Sequence, residues 1–186
     1  LVRDELAYTF SITMEQAFLT GTGAGRPLGI FTASADGVPT SRDVSTDNTT
    51  TAVTADGLFN AFYSLKPQYQ ARAVTVGHRD LAKMVRKLKY GSGEYIWAPG
   101  LNSNQPDTLF NRPFYQSEYA SNTFTTGLYV AVIFDPAAYW IVDTMNLDVQ
   151  VLRELYAATN QTGFIGRAEC DAQPVISEAF ARVKLA

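Results

Sequence analysis

Residues 17–31, Ala-Phe-Leu-Thr-Gly-Thr-Gly-Ala-Gly-Arg-Pro-Leu-Gly-Ile-Phe, constrain the fold of this chain more than any other stretch. A helical pattern runs into four glycines and Pro27, and the chain leaves that turn extended. Upstream, Leu6, Phe10, Met14, Ala17 and Phe18 recur at spacings of three and four, which predicts a helix over 2–19. Chain order decides what the turn can do. A dinucleotide fingerprint needs Gly-x-Gly-x-x-Gly after a strand and at the start of a helix, where backbone N–H groups meet a pyrophosphate. Here the helix comes first, and Arg26 stands where the third glycine belongs. No Gly-Lys-Ser/Thr follows, so the segment is a structural turn. Gly21 occupies the helix C-cap, where a residue of positive φ is expected.

Composition narrows the function classes. The 186 residues, 46% of them apolar, suffice for one domain or two tightly linked subdomains. Lys and Arg number 15 against 18 Asp and Glu, a net charge of −3, which argues against a dedicated nucleic-acid binder. No apolar run is long enough for a membrane span. The opening Leu-Val-Arg-Asp-Glu has no initiator Met and no visible signal peptide, and reads as a processed chain or an excised fragment. Cys170 and His78 are the sole residues of their kinds, which excludes an internal disulfide and the usual zinc sites. The carboxylates show no Mg²⁺ or Ca²⁺ loop pattern. No cofactor, metal or small-molecule ligand is implied.

A helix is predicted over 56–65, with Leu58, Phe62 and Leu65 inward, Thr54 or Asp56 capping it and Pro67 ending it. A strand follows at 72–76. The next helix, 79–89, turns Leu81, Met84, Val85 and Leu88 inward and ends at Gly91. Short strands are then expected at 94–98, 112–118, 127–134, 139–143, 148–155, 163–170 and 179–184. Helices early and strands late make an α+β fold.

Each candidate for chemistry has a plainer alternative. His78 is a potential general base, but a Gly-x-Ser-x-Gly elbow is absent. Gly91-Ser92-Gly93 reads as a turn, and Asp80, two residues along, should point elsewhere. His78 therefore reads as a polar residue at a helix start. Cys170 has no resolving partner and reads as a half-exposed thiol. The basic face of the 79–89 helix (Arg79, Lys83, Arg86, Lys87, Lys89) is either a solvated surface or a contact for an acidic neighbour. Eleven Phe and ten Tyr exceed what a core needs. Tyr69, Tyr95, Phe110, Phe114, Tyr115 and Tyr119 fall in loops or at their edges, where aromatic rings favour subunit contacts. Arg79, Lys83, Arg86, Lys87, Tyr95, Phe110, Arg112 and Tyr115 are the candidate interface residues.

Several segments taken in order resemble the major capsid proteins of tailed bacteriophages. The helix end Glu15-Gln16-Ala17-Phe18-Leu19, with Gly21-Thr22-Gly23 and Arg26-Pro27-Leu28-Gly29-Ile30, is similar to that family's spine-helix end and its glycine–proline turn. The run from Asp80-Leu81 through Leu88-Lys89 and Gly91 to Trp97 is similar to a second family helix and its exit. Residues 106–113 match a third motif, with Asn111 in place of its glycine. Phe134-Asp135-Pro136 with 139–143, and Glu178-Ala179-Phe180, resemble two more, Phe134 again replacing a glycine. Together they span about residues 5–183.

The resemblance implies a structural, non-enzymatic shell subunit that self-associates into hexameric and pentameric capsomers. It implies residence in the virion, assembly in the bacterial host cytoplasm, and packaged DNA as a neighbour by non-specific proximity only. It divides the chain into a spine-helix end (1–24), an axial domain (25–137) and a peripheral sheet with the closing strand (138–186), that strand returning to either domain. The family's N-terminal arm, extended loop and front of the spine helix would precede residue 1, so the expectation is a core unable to build a shell alone. The family's cross-linking lysine belongs to that segment, and neither Asn146 nor Asn160 is assigned the partner role. Three rivals share parts of the pattern: an encapsulin-type compartment, a tail or adaptor virion protein, and a small serine hydrolase using Ser92 and His78.

Overall fold

Nineteen residues without Gly or Pro form α1 (Val2–Thr20), whose half-buried stripe is the predicted one and whose single fully buried residue is Leu19. Thr9, Ser11, Thr13 and Thr20 each donate a hydroxyl proton to the carbonyl four residues earlier, at 2.9–3.0 Å. This computed structural model describes residues 2–89, 108–152, 154–155 and 159–186. The predicted strand at 94–98, with Gly91, Ser92, Tyr95 and Trp97, lies outside those residues.

At the end of α1 the chain doubles back along its own helix. The N–H groups of Gly29, Ile30 and Phe31 donate to the carbonyls of Gly21, Phe18 and Leu19 at 2.9, 3.1 and 2.9 Å, which satisfies the acceptors a helix C-terminus leaves open. This changes the reason for Gly21. Its φ is not positive; a Cβ there would stand 2.1 Å from the Pro27 carbonyl oxygen and 2.4 Å from that of Ala17. The left-handed positions are Gly23 and Gly25, at φ 79° and 65°.

The main sheet is mixed, in the order β1-β8-β5-β2-β4-β3. Its strands are β1 (Asp43–Val44), β2 (Val74–Gly77), β3 (Thr108–Leu109), β4 (Arg112–Gln116), β5 (Tyr129–Phe134) and β8 (Phe180–Lys184). The β1–β8 and β2–β4 pairs are parallel and the others antiparallel. One face is covered by α2 (Ala55–Tyr63) and α4 (Arg79–Arg86). Leu58, Ala61, Leu65, Leu81, Ala82 and Val85 pack there on Phe114, Ala131, Ile133, Ala181 and Val183. On the other face Leu19, Ile30, Phe31 and Val38 meet Val132 and Phe180. Thr54 caps α2 by accepting the Gly57 N–H. Pro67 does not simply end that helix. It opens the short α3 (Pro67–Gln70), since a helix's first turn has no use for the missing N–H.

Between β5 and β8 the chain leaves this sheet as a long two-stranded ribbon, β6 (Tyr139–Leu152) against β7 (Gly163–Pro174). The sequence suggests two strands at 139–143 and 148–155. The structure makes them one, because register shifts between Asp143 and Met145 and between Met145 and Asp148 carry the pairing across residues 144–147. The ribbon is tied to α1 at its base. Tyr139 donates its hydroxyl proton to the Leu28 carbonyl at 3.1 Å, and its ring meets Phe18 edge-on at 6.2 Å. Burial pushes the Tyr139 phenol far above its ordinary range, with Asp171 and Cys170 adding to it.

Candidate subunit interface

The helix bearing the basic face starts on His78. This buried residue is the N-cap, and its Nδ1 accepts the Asp80 N–H at 3.1 Å. An acceptor at Nδ1 requires the proton on Nε2, which lies 3.2 Å from Glu118 and donates to it. The Asp80 carboxylate lies 3.2 Å from Nδ1, contrary to the expectation that it points away. The reason is that His78 has extended, not helical, backbone angles, so helical spacing does not apply to the pair. With both nitrogens engaged and 3% of the side chain exposed, His78 is a structural cap with no free nitrogen for a substrate.

Of the predicted basic face, Lys83, Lys87 and Lys89 are exposed, Arg86 is half-buried, and Arg79 is exposed and pairs with Glu118 at 3.4 Å. Lys83 and Lys87, one turn apart, flank a groove of about 360 Å³ whose remaining lining is Asp80, Met84, Asn122 and Phe124. The other candidates cluster on the β3–β4 hairpin. Phe110 is half-buried, with ring centroids 5.0 Å from Phe59 and 4.9 Å from Phe62, so much of its surface is used within the chain. Phe114 is buried outright. Tyr115 is exposed on β4, and Arg112 is half-buried at the same strand's start. Tyr95 lies outside the described residues. The structure thus separates the candidates into two groups, one on α4 and one on the hairpin.

Sequence reasoning missed an exposed apolar surface on the ribbon. Trp140, Ile141 and Val142 follow Tyr139 in β6, and Trp140 and Val142 are 61% and 60% exposed. They share the ribbon's outer face with their register partners Gln173 and Asp171. Three apolar residues in a row carry no alternation, and so read as a buried strand; Asp143 just beyond is the one signal of exposure. Cys170 is half-buried on β7, its thiol pushed up by burial and by Asp143 and Asp171, away from nucleophilic use. Among the described residues no group of His, Cys, Asp and Glu could hold a metal ion, and no helix is long and apolar enough to cross a membrane.

A model of the phage capsid family matches residues 1–185. No curated protein matches the chain in sequence. Among solved structures, the capsid of an empty GTA particle superposes with a TM-score of 0.85 at 22% identity, covering 100% of this chain and 65% of that one. The capsid of the native GTA particle gives 0.84 at 22% identity, covering 100% and 64%. A structure from Gordonia phage Cozz gives 0.67 at 12% identity, covering 98% and 62%. The chain therefore spans about two thirds or slightly less of the length of these relatives.

Proposed function

The chain belongs to the phage capsid family, and from that premise we propose that it is the major capsid subunit of a tailed phage or prophage, assembling in many copies into an icosahedral shell around DNA. The observation that carries this reading is the family match across nearly every residue. The capsid-protein fold of the described residues supports it. The subunit is structural and non-enzymatic, and its partner is itself, in hexamers and pentamers. It resides in the virion after assembly in the host cytoplasm, and DNA is an enclosed neighbour without a dedicated site. The six-stranded sheet with α2 and α4 serves as the axial unit, and α1 with the β6–β7 ribbon as the peripheral one. In this division the closing strand β8 belongs to the axial unit. Arg79, Lys83, Arg86, Lys87, Tyr95, Phe110, Arg112 and Tyr115 contribute to contacts between copies.

Expressing the intact reading frame and imaging the product by negative stain tests this. Closed icosahedral particles are expected. Tubes, or dispersed monomers at concentrations where capsid subunits assemble, would overturn it.

A further inference from the structure

Rotational rings of more than two subunits need two different, complementary patches on each copy. Two patches on this chain meet that description. The ribbon from 139 to 174 carries five carboxylates against two arginines, and residues 79–89 carry five basic side chains against Asp80. On the ribbon's outer face, exposed Trp140 and Val142 lie beside Asp171, with Glu169 two residues further along the same face of β7. Glu169 and Asp171 are exposed and form no ion pair among the described residues. On α4, Lys83 and Lys87 are likewise exposed, without an ion pair among the described residues, and they flank the groove lined by Met84 and Phe124.

We propose that Trp140 of one copy seats in the Lys83–Lys87–Phe124 groove of a neighbouring copy, with Glu169 and Asp171 pairing with the two lysines. This rests on the capsid reading and specifies one contact within it. The groove is also lined by Asp80, and the two lysines outnumber that carboxylate. An indole is the ring best suited to lysine ammonium groups, and its edge can pack on Phe124. Trp is among the residues most enriched at binding hot spots, where the contacts around it exclude water. Each copy contributes the ribbon to one contact and α4 to another, so the contact repeats head to tail, as a ring of capsomer subunits requires.

The test uses protein from the intact reading frame. Trp140→Ala, the pair Lys83→Glu/Lys87→Glu, and the pair Glu169→Lys/Asp171→Lys should each lower the assembled fraction in sedimentation velocity by about tenfold or more. All these side chains are exposed, so thermal melts should match wild type. The four-residue charge swap should recover assembly to within about threefold. Independently, carbodiimide coupling of mixed isotope-labelled and unlabelled wild-type protein should link Lys83 or Lys87 to Glu169 or Asp171 between copies. Single-face variants that assemble like wild type, a folded four-residue swap that does not recover, or the lack of such links between copies would each overturn the contact. If wild-type shells form in those cases, the capsid reading stands and only the contact falls. If wild type forms no shells, the capsid reading itself fails.

Discussion

Phe110 and Asn111 adopt left-handed backbone angles, φ 55° and 58°, and form the two-residue loop joining Leu109 to Arg112 across β3 and β4. Two successive positive φ values are the signature of a type I′ hairpin turn, which explains why a glycine is usual where Asn111 stands. Asn tolerates that region and Phe does not, so Phe110 is held there by Phe59 and Phe62. Asn111→Gly is expected to leave stability unchanged or slightly raised, while Asn111→Val should cost about 1–2 kcal/mol in urea denaturation. The glycine turn offers a paired contrast. Gly21→Ala drives a Cβ into two carbonyl oxygens and should cost at least about 1–3 kcal/mol. Gly25→Ala meets nothing within 4 Å and should cost only the left-handed penalty, about 1 kcal/mol. The sequence announces a turn at 21–29 through composition alone. Which glycine bends the backbone and which admits a neighbouring strand depends on the chain doubling back at Gly29, and no local pattern encodes that.

The phenol of Tyr139 carries a pH dependence whose sign follows from burial. Its folded value is raised above the ordinary 10.0, so its stabilising contribution is complete below pH 10.0 and is lost as pH climbs toward the folded value. Melting temperature should therefore fall as pH rises above about 10, and Tyr139→Phe should flatten part of that slope.

Among elements, the helices were the most legible. The 3.6-residue period places α2 and α4 within a few residues, and Thr54→Ala, which removes the cap of α2, should cost about 1 kcal/mol. The ribbon was less so, because the interruption after Asp143 resembles a loop until β7 supplies a partner through it. The two-residue β1 has no such pattern at all, and a buried ion pair fixes it. Arg182 is 0% exposed; its Nε donates to Asp43 Oδ1 at 2.8 Å and another guanidinium nitrogen donates to the Pro39 carbonyl at 3.0 Å. Tyr129 closes the cluster with a 2.9 Å bond from its hydroxyl to Asp43 Oδ2, its ring 4.5 Å from the guanidinium carbon. Asp43→Ala leaves a buried guanidinium unpaired and should cost about 3–5 kcal/mol by chemical denaturation. Replacing Asp43 and Arg182 together with apolar residues should cost less than the two single losses summed.

For the whole molecule, a resemblance built from five weak motifs in the right order led to the correct fold, because order along a chain is harder to match by chance than any one motif. The basic surface of α4 was legible for a similar reason, since charge shows at helical spacing. The ribbon's apolar outer face was not, since exposure of a Trp-Ile-Val run is a property of what fails to pack on it. One topological fact has a bearing on synthesis. β8 lies between β1 and β5, although it follows every other described strand along the chain. A ribosome that has produced everything up to residue 179 still holds a sheet with a vacant lane, in which β1 has no neighbour. Completion of this sheet thus waits until the β6–β7 ribbon has been made, so β1 is fixed later than the strands on the other side of β5.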